Sequence, residues 1–355
     1  MYRRARLIYN PSSGREEMKK RLPVILQRLE QGGIETSTHA TSCEGDAAQA
    51  AAQAVERGYD IIIAAGGDGT LHEVVNGMSE KPHRPMLGIL PVGTTNDFAR
   101  ALNIPKNWEQ ACDIINLQYT TDIDIGKVNQ RYFINILGGG SMTELTYEVP
   151  SKLKTMIGQL AYYMKGLEML PRLHPIELRI KSAEVEFHDE VMVFLVSNSH
   201  SVAGMEKLSP GAILNDGLLD VLILKKCNLA EFLRIMTLVI RGEHLGDPHV
   251  VHFQTRQLDI FSPDHVQLNL DGEYGGTLPV TVNTLKSHIR VIVDQSGKSI
   301  YKKNRFDALL KPFVHLALDS MKNEKETDPD PDPDQGQNDK SKAPKPRSTN
   351  PIWRD

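Results

Sequence analysis

An apolar run at 61–65 (IIIAA) is followed at once by a glycine-rich turn at 66–70 (GGDGT). An uninterrupted apolar run of this kind is typical of a strand that is buried on both faces. Residues 71–77 contain no helix breaker before Gly77, so a helix is expected to begin at Thr70. Strand, tight turn and helix in this order form the unit from which helix-covered parallel sheets are built. The sequence therefore predicts an α/β fold around this unit.

The rest of the first 124 residues repeats this alternation. Apolar runs at 6–9 and 87–90 predict two more strands, each followed by polar, turn-forming residues. Helical spacing covers 16–31 and 46–57, and glycines stand where these helices should end. Residues 1–124 are therefore predicted to form an α/β domain with a parallel sheet covered by helices.

From 125 to 296 the apolar pattern changes to a period of two, which is typical of strands with one buried face. An all-β sandwich domain is therefore predicted, interrupted by helices at 151–170 and 229–241. Strands are expected near Tyr132, Ile176, Val191, Leu218, Val250, Leu258, Val266, Val280 and Ile289.

The C-terminal region divides into two parts. A last helix within 297–321 carries an apolar stripe, which is expected to pack back on the first domain. Residues 322–355 contain Asp-Pro repeats and almost no apolar side chains, so this tail is predicted to be disordered.

Composition argues against several classes of protein. The formal net charge of -4 provides no basic field, so nucleic acid is a poor candidate partner. No apolar run approaches the roughly 20 residues that span a bilayer, and no signal h-region is visible, so a cytoplasmic location is expected. Cys43, Cys112 and Cys227 have no paired spacing, which favours reduced structural thiols over disulfides or a zinc site.

The glycine-rich turn at 66–70 has the properties of a phosphate-binding loop. Glycines let the backbone approach a phosphate closely, and the N-terminus of the following helix offers unpaired N–H groups. Asp68 is an anion among these donors, so a phosphate beside it requires a cation or a substrate hydroxyl. Asp68 thus indicates Mg²⁺, a substrate hydroxyl or both, which favours catalysis over passive binding. A surface turn with a capping Asp is the alternative.

Two more polar loops, at 10–14 and 91–97, follow predicted strands. Because the carboxyl ends of parallel strands open on one crevice, both loops should converge on the glycine turn. Asp97 could hold a metal-bound water beside Asp68. Each loop alone is also consistent with ordinary turn and capping chemistry. Suitable phosphate donors are the side chains of Asn10, Ser12, Ser13, Thr94 and Asn96.

The glycine turn matches neither of two common nucleotide motifs. No Gly-x-x-x-x-Gly-Lys-Ser/Thr pattern occurs there, so it is not a Walker A loop. His72 stands where a dinucleotide fingerprint would have its third glycine. The histidines as a group show no metal-ligand spacing, and structural roles are expected for them.

Two acidic features lie in the second half. Asp271 and Glu273 end a strong strand pattern two residues apart, and residues two apart on a strand share a face. One of the two carboxylates could then serve as a general base in a cleft, whereas a hairpin turn is the alternative interpretation. The loop at 208–220 could fold around a cation through Asp216, but its residues alone indicate only a turn.

Residues 10–14, 66–77, 91–100 and 271–273 resemble, in order and spacing, the motifs of bacterial soluble diacylglycerol kinases. This family lies within the wider group of diacylglycerol, sphingosine and ceramide kinases. The resemblance implies a nucleotide domain similar to NAD kinase and phosphofructokinase, a β-sandwich lipid domain, and a homodimer. It ends before the tail that begins at 322.

The resemblance also implies roles for single residues. Asp68, Asp97 and Asp271 would form an acid and water network around a catalytic Mg²⁺, with Glu273 as proton acceptor and Asp271 as its rival. A structural Mg²⁺ would be held by the Asp216 carboxylate and the carbonyl oxygens of Ile213 and Leu218. ATP would be contacted by Asn10, Pro11, Ser12, Ser13, Gly14, Thr41, Gly67, Asp68, Gly69, Thr70, Leu71, His72, Glu73 and Thr94.

The activity that the resemblance implies is ATP- and Mg²⁺-dependent phosphorylation of diacylglycerol to phosphatidic acid. The alternatives are a kinase for another lipid alcohol, such as a sphingoid base or ceramide, an NAD kinase, and a non-catalytic nucleotide or lipid sensor. The run at 96–100 and the Asp-Gly-Glu strand end at 271–273 favour a lipid kinase over an NAD kinase, and the retained acids argue against a sensor. A lipid substrate requires transient docking at the inner face of the membrane. The apolar and basic helix at 151–170 is the candidate surface, with core or dimer contact as its alternative role.

Overall fold

The computed structural model describes residues 3–13, 17–140, 174–199, 208–209 and 212–294. All of these residues belong to one compact unit. Four predictions fall outside the described residues, and they concern Gly14, the helix at 151–170, the last helix within 297–321 and the tail from 322.

The first half alternates strands and helices as the sequence predicts. Its strands run parallel in the order β2-β1-β3-β4. The predicted strands and helices are all present, and β2, α4 and α5 are additional. The strands are β1 (Arg3–Tyr9), β2 (Ile34–Ala40), β3 (Ile61–Gly66) and β4 (Met86–Pro91), and the helices are α1 (Glu17–Gln31), α2 (Asp46–Glu56), α3 (Asp68–Met78), α4 (Asp97–Ala101) and α5 (Trp108–Leu117).

Burial explains why this half folds around β3. Every residue of β3 is buried, and its sequence contains only Ile, Ala and Gly. Helix α2 presents a buried face of small side chains, which lets it pack closely against α3. Helix α3 begins at Asp68, two residues before the predicted start at Thr70, with Gly67 as its N-cap. Asp68 is therefore a first-turn residue of the helix, where a negative charge is favourable.

In the part of the chain that the structure describes, the second half is built of antiparallel strands and one long helix. A strand is present at each predicted position, and β5, β7 and β14 are additional. The turn expected between Val280 and Ile289 is wrong, because one strand covers both positions. The helix at 229–241 has the predicted bounds. The strands are β5 (Thr120–Val128), β6 (Arg131–Phe133), β7 (Ile136–Gly140), β8 (Ile176–Ser182), β9 (Glu186–Ser197), β10 (Leu219–Lys225), β11 (Val250–Thr255), β12 (Gln257–Phe261), β13 (Gln267–Leu270), β14 (Glu273–Thr277) and β15 (Val280–Ile292). The helix is α6 (Leu229–Arg241), and a 3-10 turn follows at His244–Gly246.

Local signals set the ends of α6. The Asn228 side chain and the Glu231 side chain form a reciprocal capping box at its N-terminus. Gly242, with a φ of 77°, ends it in the left-handed region that favours glycine. These signals lie within the helix's own sequence, which explains the agreement between the predicted and observed bounds.

Strand β15 joins the two halves in one hydrogen-bonded sheet. It pairs antiparallel with β5 and β12, and it meets β4 in parallel at Val291 and Leu87. The predicted domain boundary after residue 124 falls inside β5, and the limits of the two domains stay a prediction. Each half has its own core, the first around β3 and the second around Phe133, Phe194 and Leu268.

None of the described helices is long and apolar enough to cross a membrane. The three cysteines are free, and Cys112 is buried in the first core. Burial raises the pKa of the Cys112 thiol to about 12, as expected for an inert structural cysteine.

Candidate active site

The loops at the carboxyl ends of the parallel strands are tied to one another by backbone hydrogen bonds. Asn10 N donates to Ala65 O at 3.2 Å, which joins the end of β1 to the end of β3. Val92 N and Gly93 N donate to Gly66 O at 3.0 and 3.2 Å, which joins the end of β4 to the same strand. The loops therefore meet at one edge of the sheet.

The glycine turn and the 91–97 loop touch through their backbones. A Cβ on Gly93 would lie 2.4 Å from Gly67 Cα and 2.8 Å from Asn96 Oδ1. Asn96 closes its own loop, because its Oδ1 accepts from Gly93 N at 3.0 Å and its Nδ2 donates to Gly93 O at 2.7 Å. Glycine at 93 thus permits a backbone contact, and any side chain there would push the two loops apart.

Asp68 links the starts of α3 and α4. Its Oδ1 accepts from Asp97 N at 2.8 Å, and Asp97 is itself buried. Loss of solvent raises the pKa of Asp68, although backbone N–H donors from the 96–98 segment oppose this, and the charge of Asp271 raises the pKa further. A cation beside Asp68 would therefore be favoured.

Asp271 and Gly272 form the two-residue turn between β13 and β14, with Leu270 paired to Glu273 across it. Asp271 has a φ of 52° and Gly272 a φ of 101°, as a type I′ hairpin turn requires. The prediction that Asp271 and Glu273 share one strand face is wrong, because Asp271 lies in the turn itself. The hairpin interpretation is the one that the structure shows.

Glu273 nevertheless reaches the glycine turn. A Cβ on Gly69 would lie 3.3 Å from Glu273 Oε1, so this carboxylate stands over the first turn of α3. Within the described residues, the Glu273 side chain has no hydrogen-bond or ion-pair partner. Its lone pairs are available to accept a proton.

Asp271 has a different environment. Its side chain is 1% exposed, and its two oxygens accept four hydrogen bonds. Oδ2 accepts from Ile134 N at 2.7 Å and faces His72 Nδ1 at 3.0 Å. Oδ1 accepts from Asn135 N at 2.8 Å and from Ile136 N at 2.9 Å. Four donors occupy the acceptor sites of a carboxylate, so Asp271 holds structure together and is poorly placed to take a proton.

Comparison with known proteins identifies the family of this chain. The diacylglycerol kinase catalytic domain matches residues 4–128, and the YegS C-terminal NAD kinase beta sandwich-like domain matches 144–293. A diacylglycerol kinase of Bacillus subtilis (strain 168) is 56% identical over 292 residues, which cover 82% of this chain and 96% of that protein. The chain belongs to the diacylglycerol kinase family.

Other members of the family agree in sequence and in fold. The diacylglycerol kinase of Staphylococcus haemolyticus (strain JCSC1435) is 51% identical over 84% of this chain and 90% of its own length. A crystal structure of a diacylglycerol kinase from Bacillus anthracis str. Sterne, 24% identical, superposes with a TM-score of 0.70. That match covers 83% of this chain and 98% of the other, and it bears on the fold.

The remaining residues of this family member that the sequence singled out fall into two groups. Some shape the loops. Asn10 Oδ1 accepts from Ser12 N at 2.9 Å and from Ser12 Oγ at 2.7 Å, which is turn chemistry. Ser13 and Pro11 belong to the same turn, and Thr41 N donates to Tyr9 O at 2.9 Å at the end of β2.

Others lie on α3 or beside it. Thr70 and Leu71 are buried, and Leu71 N donates to Gly67 O at 3.1 Å in the first turn of α3. Glu73 Oε2 accepts from Ala47 N at 3.0 Å, so its carboxylate is directed at the start of α2 and away from the glycine turn. The His72 imidazole faces Asp271 and not the 91–97 loop. Contacts of these residues with ATP stay a prediction.

Two cations beside the 91–97 loop received no role from the sequence. Lys106 Nζ donates to Thr94 O at 2.9 Å, and Arg100 Nη2 donates to Thr95 O at 2.8 Å. Loss of solvent and the Arg100 charge lower the pKa of Lys106. Only the fold brings Lys106 to this loop, so no local signal could have identified it.

The described residues contain no group of three or more His, Cys, Asp or Glu side chains that could hold a metal ion. In the loop predicted to bind a structural Mg²⁺, Asp216 Oδ1 accepts from Leu218 N at 2.8 Å, and Ile213 is exposed. The loop is anchored by the fully buried Asp124, whose Oδ2 accepts from Gly217 N at 2.5 Å. The structural Mg²⁺ site stays a prediction.

Proposed function

We propose that this protein transfers the γ-phosphoryl group of ATP to the free hydroxyl of diacylglycerol, giving phosphatidic acid and ADP. One observation carries the proposal beyond family membership. The Glu273 carboxylate, which has no partner among the described residues, stands over Gly69, at the first turn of the helix that follows the glycine turn. The proposed proton acceptor therefore lies beside the proposed phosphate site.

In this mechanism, the phosphates of ATP lie against the glycine turn and the N-terminus of α3, whose backbone N–H groups donate to them. Arg100 and Lys106 add positive charge from the neighbouring loop. The acceptor oxygen attacks the γ-phosphorus as the bond to the β-phosphate oxygen breaks and ADP leaves. Glu273 takes the hydroxyl proton, and Asp271 keeps the turn that carries Glu273 in place.

The residues around Asp68 fit a catalytic Mg²⁺. Desolvation raises the pKa of Asp68, so an adjacent cation would relieve the cost of keeping it ionised. Mg²⁺ is usually held by one or two carboxylates together with substrate phosphates and water, so a three-carboxylate cage is not needed. Asp68, with Asp97 through water, would hold the ion, which would neutralise charge on the phosphates.

The test is transfer of label from γ-labelled ATP. The purified chain is incubated with diacylglycerol vesicles, with sphingosine or ceramide vesicles, and with NAD. We expect label in phosphatidic acid. Label in a sphingoid or ceramide phosphate, or in NADP, would show that the acceptor is not diacylglycerol. Label in none of these products would refute catalysis.

The residue assignment is tested by Glu273→Gln, which should lower kcat about 10²- to 10⁴-fold and leave ATP binding unchanged. The same change at Glu186, an exposed residue of β9, is the matched control. Near-normal turnover of E273Q would refute the assignment of the base.

We also propose that the enzyme works as a homodimer at the inner face of the cytoplasmic membrane. Membrane docking is expected because diacylglycerol resides in a bilayer. The homodimer is what the resemblance to the family implies. Reversing the charges of Lys152, Lys154 and Lys165 should weaken flotation with anionic vesicles, because each near-surface cation contributes about 1 kcal/mol. Unchanged flotation would exclude the predicted helix at 151–170 as the docking surface, and sedimentation equilibrium tests the dimer.

A further inference from the structure

We infer that His72 is a positioning residue for phosphoryl transfer. Its imidazole ties the Asp271 turn to α3 and so keeps Glu273 over the start of that helix. The inference rests on the proposed transfer to diacylglycerol and adds a residue whose part in the reaction is indirect.

The first step is the placement of polar residues along α3. Asp68, His72 and Asn76 stand four residues apart and therefore share one face of the helix. Asp68 meets the 91–97 loop through Asp97 N at 2.8 Å. His72 meets the β13–β14 turn, and Asn76 meets the backbone of Tyr132 in β6. One helix face thus contacts both the phosphate-binding loops and the strands that carry the base.

The hydrogen bonds of Asn76 determine which nitrogen of His72 carries the proton. Asn76 Oδ1 accepts from Tyr132 N at 3.1 Å, and Asn76 Nδ2 donates to Tyr132 O at 3.1 Å and to His72 O at 2.9 Å. This fixes the amide orientation and places Nδ2 3.3 Å from His72 Nε2. A hydrogen on Nε2 would point at this donor, whereas Nδ1 faces the Asp271 carboxylate, which only accepts, so Nδ1 carries the proton.

The partners of Asp271 show what the His72 bond does. Three of the four donors to its carboxylate are consecutive backbone N–H groups, from 134 to 136, in the segment between β6 and β7. The fourth, His72 Nδ1–H at 3.0 Å, is the one that comes from α3. The His72 side chain is 11% exposed and the Asp271 side chain is 1% exposed, so water is a poor substitute for this donor.

Loss of the Nδ1–H donor would leave the turn bound to 134–136 but detached from α3. Glu273 follows Asp271 by two residues, so a shift of the turn moves its carboxylate relative to Gly69. A misplacement of about 1 Å in a reacting geometry can cost about 100-fold in rate. The expected defect is therefore in kcat, with ATP binding preserved because the glycine turn is intact.

Two substitutions separate this role from simple packing. In His72→Asn, the side-chain amide nitrogen occupies the place of Nδ1 and can still donate to Asp271. In His72→Gln, the amide lies at the position of Nε2 and leaves Asp271 without that donor. We expect H72Q to lower kcat about 10- to 100-fold with an unchanged Kd for ATP, and H72N to recover most of the loss. The control is His188→Gln, at an exposed histidine of β9 that pairs with Glu177.

The outcomes are distinguishable. Wild-type kcat in a folded H72Q, or an H72N variant as slow as H72Q, would overturn the inference. If the wild type fails to phosphorylate diacylglycerol, the proposed function falls, and a second measurement still tests His72. In 15N-histidine spectra, the imidazole signal absent from H72N should show a proton on Nδ1. A signal with no proton on Nδ1 would overturn the inference without any assay of turnover or any folded H72Q.

Discussion

The contact between the glycine turn and the 91–97 loop makes Gly93→Ala an informative perturbation. Gly93 has no positive φ, so alanine meets no backbone strain, and the effect is purely steric. The new Cβ would lie 2.4 Å from Gly67 Cα, whereas carbon atoms pack best at about 3.5 to 4.0 Å. The two loops must therefore separate by about 1 Å. Neither Gly67 Cα nor the new Cβ can move away by a change of rotamer.

A displacement of this size predicts a large kinetic effect. A shift of about 1 Å between groups that position the phosphates should lower kcat/KM for ATP about 100-fold. That corresponds to about 2.7 kcal/mol of lost transition-state stabilisation. Overpacking should also lower the free energy of unfolding by about 1 to 3 kcal/mol.

The assay is initial-rate kinetics with diacylglycerol vesicles over a range of ATP concentrations, together with thermal unfolding of each variant. Gly246→Ala is the matched control, because Gly246 has no positive φ and a Cβ there meets nothing within 4 Å. A folded G93A variant with wild-type kcat/KM would refute the reasoning, since the loops would then tolerate separation.

Three further predictions concern the groups around the site. Asp271→Asn should lower the free energy of unfolding by about 2 to 4 kcal/mol, because an amide would set N–H groups against donors, whereas E273Q should not change it; urea unfolding compares them. Lys106→Met should raise KM for ATP about fivefold with little change in kcat, because a screened cation contributes up to about 1 kcal/mol. The Ser42 backbone N–H lowers the pKa of Asp46, so the roughly 1 kcal/mol that Asp46 contributes at neutral pH is lost as the pH falls through its folded-state pKa. The difference in melting temperature between wild type and Asp46→Ala should stay constant above about pH 5 and shrink as the pH falls below that value.

Each of these predictions has a result that contradicts it. Equal stability of D271N and wild type would mean that the four hydrogen bonds contribute nothing. Lys226→Met is the control for Lys106, since Lys226 pairs with Glu190 at the surface. An equal effect of K226M on KM would mean that the position of Lys106 beside the 91–97 loop does not matter. A gap between wild type and D46A that widens in acid would reverse the sign worked out for Asp46.

The parts of the fold that the sequence predicted are those with local signals. The buried run of β3, the glycine turn and the capping box of α6 each lie within a dozen residues. Strand β2 was missed because IETSTHA has only two apolar residues, and as an edge strand it needs few. Strands β7 and β14 contain consecutive glycines, which obscure the period of two. Their pairing partners, and not their own sequences, make them strands.

The choice between Asp271 and Glu273 shows where prediction from sequence stops. The rule that residues two apart share a face presupposes that both belong to one strand, and the Asp-Gly dipeptide was the local signal against it. A hairpin assignment would still have left two acids near one site. The oxygens of Asp271 are occupied by donors that lie 135 to 199 residues away in sequence. Glu273 is favoured by the absence of such partners among the described residues. Which carboxylate is free to react is thus decided by long-range hydrogen bonding, which no pattern within the hairpin encodes.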